Sequence, residues 1–173
     1  MYEERADRGN RYPTFAYLEW RERMPTYQVL TSPGCLDEAT KGRVARAITR
    51  AHNEATGANN YFAQVIFSEK SAEDYYLGGQ RLKAKHLFVH ATIRARSLEA
   101  KKALISHLLP AIAEAAALDK RYVWLYVADL APDLMVEFGH VLPQPGAEAV
   151  WSAALPEADR QYMLSTDYMR VTE

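Results

Sequence analysis

Residues 25–55 read PTYQVLTSPGCLDEATKGRVARAITRAHNEA, and the change of period inside this stretch decides the fold. Thr26 to Thr31 alternates β-branched and aromatic residues with polar ones, the two-residue period of a strand. Ser32-Pro33-Gly34 is a turn signal. From Leu36 to Ala55 the period becomes helical, with Val44, Ala47, Ile48, Ala51 and Ala55 on one face. Asp37 and Glu38 suit the positive start of that helix, and Gly57 suits its end. A second strand is predicted over Tyr61 to Ser68, which makes a β-α-β unit.

The same order then recurs. Tyr75 to Leu77 with Gly78-Gly79 reads as a short strand or hairpin turn, and the basic residues Arg81, Lys83 and Lys85 lead into a strand over His86 to Arg94. Ser97 is a cap for a helix whose apolar face runs Leu104, Ile105, Leu108, Leu109, Ile112 and Ala116. Tyr122 to Ala128 reads as the last strand. Val44, Ile48, Ala51 and Ala55 have apolar counterparts 61 positions later at Ile105, Leu109, Ile112 and Ala116, which argues for an internal duplication. Right-handed crossovers place both helices on one face of a shared four-stranded sheet, an α+β fold of tandem β-α-β units. The other face needs cover. Another subunit could supply it, which predicts an oligomer, or the tail from Leu130 onward could, with its short helix near Pro156 to Leu164.

Composition narrows the function. A chain of 173 residues, 49% of them apolar, fits one domain, and a net charge of -1 without a long like-charge block offers no footprint for nucleic acid or an anionic membrane. A small-molecule partner is expected. Cys35 is the single cysteine, so no intrachain disulfide can form, and no apolar run approaches the roughly 18 residues a membrane span needs. Both facts fit a reducing cytoplasm.

Residues 1–24 stand apart from the domain expected over 25–173. The first 23 residues mix five arginines with Glu3, Glu4, Asp7, Glu19 and Glu22 around Tyr12, Phe15, Tyr17 and Trp20, which suits neither a secretory signal nor a transit peptide. Two readings stay open: an N-terminal arm that packs through its aromatics, or a leader translated from a start assigned too far upstream. The difference is chemical. A proline amide inside a chain has no basicity, whereas Pro25 at a mature N-terminus, exposed by loss of Met24, is a secondary amine that exchanges protons.

Several other side chains are candidates for chemistry. His52 shares the side of the apolar stripe and points inward near the helix C-terminus, either as a functional group or as a buried histidine bonded to a backbone carbonyl. Arg94 and Arg96, two apart at a strand end, would share a face as a carboxylate clamp; a solvated strand end is the plain alternative. Glu137, flanked by Met135, Val136 and Phe138, sits where burial would raise its pKa and make it a general base for water, or else is a partly exposed helix residue. Tyr126 lies on the last strand in Trp-Leu-Tyr. His86 and His90 would stand about 13 Å apart on a strand, too far to share one zinc ion.

Taken together, Ala-Ile-Thr-Arg-Ala-His at 47–52, Ala-Gln-Val at 63–65, Leu-Gly-Gly at 77–79, Phe-Val-His at 88–90, Trp-Leu-Tyr at 124–126, Met-Val-Glu-Phe-Gly at 135–139 and Leu-Pro-Gln-Pro-Gly at 142–146 resemble the tautomerase superfamily, and closely its cis-3-chloroacrylic acid dehalogenase branch. The resemblance runs from Pro25 to about Arg160. It implies a duplicated β-α-β chain, a homotrimer, and no metal or organic cofactor. It also implies roles: Pro25 as the cationic amino-terminal proline that protonates the carbon next to the substrate carboxylate, and Arg94, Arg96 and His52 as the residues that bind and polarise that carboxylate. Glu137, assisted by Tyr126 from a neighbouring subunit, would activate water. The expected activity is hydration, with dehalogenation as one outcome, of small α,β-unsaturated acids to malonate semialdehyde, with keto–enol tautomerisation as a side activity; the alternatives are a tautomerase or hydratase-decarboxylase without dehalogenation, or a catalytically silent trimeric binding or scaffold protein if Pro25 stays internal. The family pattern has two residues between its arginines where this chain has only Ala95, and this bears most on dehalogenation.

Overall fold

The computed structural model describes residues 25–56, 60, 63–144 and 146–167. The N-terminal extension, Gly57 and the first two residues of the expected second strand lie outside them. The first unit comprises β1 (Pro25–Thr31), α1 (Glu38–Thr56) and β2 (Gln64–Glu69). A small hairpin, β3 (Tyr76–Leu77) and β4 (Gln80–Arg81), leads to the second unit, β5 (Leu87–Arg94), α2 (Leu98–Ala116) and β6 (Val123–Leu130). The sheet order is β2-β1-β5-β6. Within each unit the strands run parallel, as a crossover helix requires, and the units join through the antiparallel pair β1–β5.

Side-chain period explains the layers. Tyr27, Val29 and Thr31 of β1 and Leu87, Val89, Ala91 and Ile93 of β5 are buried under the helices. In α1 the buried row is Thr40, Val44, Ile48, His52 and Thr56, and in α2 it is Ala100, Leu104, Leu108, Ile112 and Ala116. Both rows advance four residues at a time along one stripe. Each fully buried Leu or Ile in them contributes about 1.5–3 kcal/mol of transfer free energy.

The duplication is present, but its register is corrected by one. Both helices are 19 residues long, and the residues before them act as caps: Asp37 accepts a hydrogen bond from the Thr40 N–H at 2.7 Å, and Ser97 accepts one from the Ala100 N–H at 3.2 Å. The copies therefore correspond at 60 positions. The 61-residue reading arose because Leu104-Ile105 and Leu108-Leu109 are apolar doublets, which leave the stripe free to slip by one. Ile105, expected on the apolar face, is 37% exposed.

The tail after β6 contains a second hairpin, β7 (Val136–Glu137) and β8 (His140–Val141), then α3 (Glu148–Ala154) and α4 (Glu157–Ser165). It has a small core of its own, with Met135, Leu142, Leu155 and Met163 packed against Phe138 and Trp151. It covers one end of the sheet face opposite the helices. Elsewhere on that face Ile66, Trp124 and Tyr126 stay exposed, so the tail provides only part of the cover that the fold needs. Among the described residues no helix is long and apolar enough to cross a membrane.

Candidate active site

The antiparallel β1–β5 pair sets the start of β1 beside the end of β5, so Pro25 lies opposite Ile93. β6 runs parallel to β5 and finishes at the same end, with Leu130 opposite Arg94. The tail folds over this end and borders a half-open cavity of about 680 Å³, whose wall includes Thr26, Gln64, Thr92, Leu130, Glu137 and Tyr162. Pro25 is buried, and its strand neighbour Thr26 forms part of that wall.

Glu137 belongs to a β-hairpin strand, not to the helix weighed as its ordinary role. The turn between β7 and β8 is Phe138-Gly139, with φ of 52° and 84°. Positive φ at both central residues is what a two-residue hairpin turn of type I′ requires. This turn presents Glu137 to the cavity, where burial pushes its carboxyl up to about 7 against the opposing pull of the Arg94 charge. A carboxyl that titrates near neutrality can both take a proton from water and release it.

The two arginines do not form the open clamp expected from their spacing. β5 ends at Arg94, so the alternation that would align the pair stops before Arg96. The Arg94 guanidinium is 2% exposed; it contacts the Glu148 carboxylate and donates Nη1–H to the Pro143 carbonyl at 2.8 Å. Arg96 is held by its backbone N–H to the Asp129 carboxylate at 3.3 Å, while its Nε, Nη1 and Nη2 are buried and have no hydrogen-bond partner among the described residues. A buried guanidinium without an acceptor is unfavourable, and an anion reaching it would be strongly held.

His52 points inward as expected and is 2% exposed. Its Nδ1 lies 2.6 Å from the Tyr27 hydroxyl, so the partner is a phenol on β1 where a backbone carbonyl was the ordinary alternative. Burial raises the Tyr27 pKa, which keeps the phenol protonated and able to donate. His52 is on the helix side of the sheet, away from the cavity wall. Tyr126 is also separate: it faces His90, four residues along β5 from Arg94, or about 13 Å, and is 55% exposed on the open sheet face. The chain thus gathers Pro25, Arg94 and Glu137 at one end and leaves Tyr126 outside. Sequence reasoning missed Tyr27 and Glu148. Tyr27 was visible only as an inward position of β1, and Glu148 carried no local signal because its partner is 54 residues away.

Residues 24–154 match the family model described as "Putative oxalocrotonate tautomerase enzyme". Among solved structures, the chain is 30% identical to N1, a member of the cis-3-chloroacrylic acid dehalogenase (cis-CaaD) family, over 81% of this chain and 99% of that one, with a TM-score of 0.76. Native Ps01740 is 25% identical over 65% of this chain and 99% of its own, with a TM-score of 0.60. The F6 fused 4-OT wild-type asymmetric trimer, 23% identical over 72% and 98% of the respective chains with a TM-score of 0.63, shares the fold. No curated protein matches.

Proposed function

The chain belongs to the tautomerase superfamily, in its cis-3-chloroacrylic acid dehalogenase-like branch, and from that premise we propose that it hydrates small α,β-unsaturated carboxylic acids without a cofactor, with keto–enol tautomerisation as a side activity. The observation that carries this reading is Glu137: a carboxyl raised to about 7 in a cavity at the end of the sheet where Pro25 and Arg94 lie. Glu137 takes a proton from water as the oxygen attacks the β-carbon. Pro25, a free secondary amine once residues 1–24 are removed, gives its proton to the α-carbon. Arg96, with Arg94, draws charge into the carboxylate and stabilises the enediolate-like species, while His52, expected to share that role, lies on the other side of the sheet and braces β1 through Tyr27.

With a 3-haloacrylate the adduct is a halohydrin that loses halide and a proton to give malonate semialdehyde. An acetylenic acid reaches the same product through the enol. Tyr126 enters from a neighbouring subunit of a homotrimer, a role supported by its exposure beside Trp124 on the partly uncovered sheet face. Tautomerisation or hydration without dehalogenation is the second reading. It is favoured by the engagement of Arg94 with Glu148, which leaves the buried Arg96 as the guanidinium without an acceptor among the described residues.

The test uses protein whose first residue is shown by intact mass to be Pro25. Glu137→Gln is expected to reduce hydration of cis-3-chloroacrylate or propiolate by about 10²–10⁴-fold while largely sparing phenylpyruvate tautomerisation. Equal loss of both activities would make Glu137 structural and overturn the assignment. Full activity in a chain that retains residues 1–24 would remove the proline from the mechanism.

A further inference from the structure

The hairpin that carries Glu137 carries a second titratable group at the matching position. Glu137 and His140 are directly opposed across β7–β8. Opposed residues of an antiparallel pair project from the same face, with β-carbons about 5 Å apart. Val136 and Val141, the other opposed pair, are 65% and 53% exposed; Val136 also borders the cavity, and the Glu137–His140 face is the more covered of the two. His140 is fixed there. Its Nε2 lies 2.8 Å from Asp159 Oδ2 on α4, and its ring meets Trp151 edge-on at 6.4 Å. Tyr162, one turn beyond Asp159 on α4, lines the cavity of Glu137 and packs on Phe138 at 5.9 Å.

We propose that His140, oriented by Asp159, is a positioning residue that returns Glu137 to its carboxylate form between turnovers by relaying its proton toward solvent. An ionised carboxylate can only accept, so Asp159 places the imidazole proton on Nε2 and leaves Nδ1 as the basic nitrogen. After Glu137 has taken a proton from the attacking water, that proton passes to Nδ1. The imidazolium so formed faces the Asp159 carboxylate and releases a proton to water, for His140 is only partly buried. The charge count closes: one proton arrives on Glu137 and one leaves from His140. Other groups facing this pair are Arg94, which favours the Glu137 carboxylate, and the Tyr162 phenol in the cavity wall.

This inference rests on the role proposed for Glu137, and its test separates the two. The variant is His140→Gln, whose amide can still bond to Asp159 but cannot titrate. The first readout does not depend on activity: in protein labelled at the glutamate side-chain carboxyl carbons, the Glu137 NMR signal, identified by its loss in Glu137→Gln, is titrated in both chains. Loss of the nearby cationic form is expected to move the Glu137 midpoint upward by about half a pH unit or more. The second readout is hydration, expected to slow about tenfold with an altered pH profile while phenylpyruvate tautomerisation changes less than twofold. An unmoved Glu137 midpoint overturns the relay, as does a hydration rate and pH profile equal to those of the wild type. A shifted midpoint in a wild-type chain that does not hydrate would instead retain the coupling and sink the proposed function.

Discussion

The two β-α-β units share a frame and differ in what they bury. α1 and α2 have equal lengths, equivalent caps and matching buried rows. Yet where α2 buries Ala100, Leu104, Leu108, Ile112 and Ala116, α1 buries Thr40, Val44, Ile48, His52 and Thr56. Two buried threonines of α1 satisfy themselves within the helix, Thr49 on the Ala45 carbonyl at 3.0 Å and Thr56 on the His52 carbonyl at 2.7 Å. His52 is different because its side chain bonds to another element, the Tyr27 phenol on β1. One copy thus serves as apolar support, and the other holds a polar contact beneath the strand that begins with Pro25.

The comparison can be broken most forcefully through the support copy. Leu108 is fully buried, and Leu108→Ala is expected to cost about 2–5 kcal/mol in denaturant unfolding through lost contacts and an unfilled cavity. A loss below 1 kcal/mol would mean that α2 is not packed as tightly as its burial implies. A double-mutant cycle sharpens the contrast. Tyr27→Phe leaves His52 Nδ1 without its phenol, at about 1–3 kcal/mol, and His52→Leu leaves the phenol without its acceptor at a similar cost. The double variant, which brings this position close to the Ile112 environment of α2, should be destabilised by less than the sum of the single losses. Strict additivity would show that the two side chains do not depend on each other.

The smallest effect separates the caps. Ser97→Ala should cost about 1 kcal/mol at any pH between 3 and 8, because a hydroxyl cap does not titrate there. The Asp37 carboxyl is held below its ordinary pKa by its hydrogen bonds to Thr40. A depressed pKa contributes stability that is present above the unfolded value and is lost as pH falls through the folded one. The cost of Asp37→Ala should therefore shrink as the pH drops below about 4, and parallel pH curves for the two cap variants would refute this assignment.

The fold was legible because it rests on short-range periodicity. The alternation in Thr26 to Thr31, the stripe from Val44 to Ala55 and the cap at Ser97 each lie within a few residues, and all match the observed elements. The repeat register was readable only to within one residue, since apolar doublets tolerate a slip that caps do not. His52 as an inward residue and Glu137 as a carboxyl in apolar surroundings were also legible from their immediate neighbours. What escaped was pairing at a distance. The 49 residues from Arg94 to Pro143 and the 25 from Tyr27 to His52 carry no local pattern, so the engagement of one arginine and the phenol partner of the histidine appear only in three dimensions.

If Arg94 holds the carboxylate of the proposed substrate, its ion pair with Glu148 is an internal competitor for that anion. A ligand reaching for this guanidinium meets an acid already bound to it, so its apparent dissociation constant is the intrinsic value divided by the fraction of molecules in which Glu148 has swung away. Weak monoanions would then be screened out by self-competition at this position. Under the proposed function, an acid on α3 would thus grade ligands by how well each replaces a carboxylate already in place.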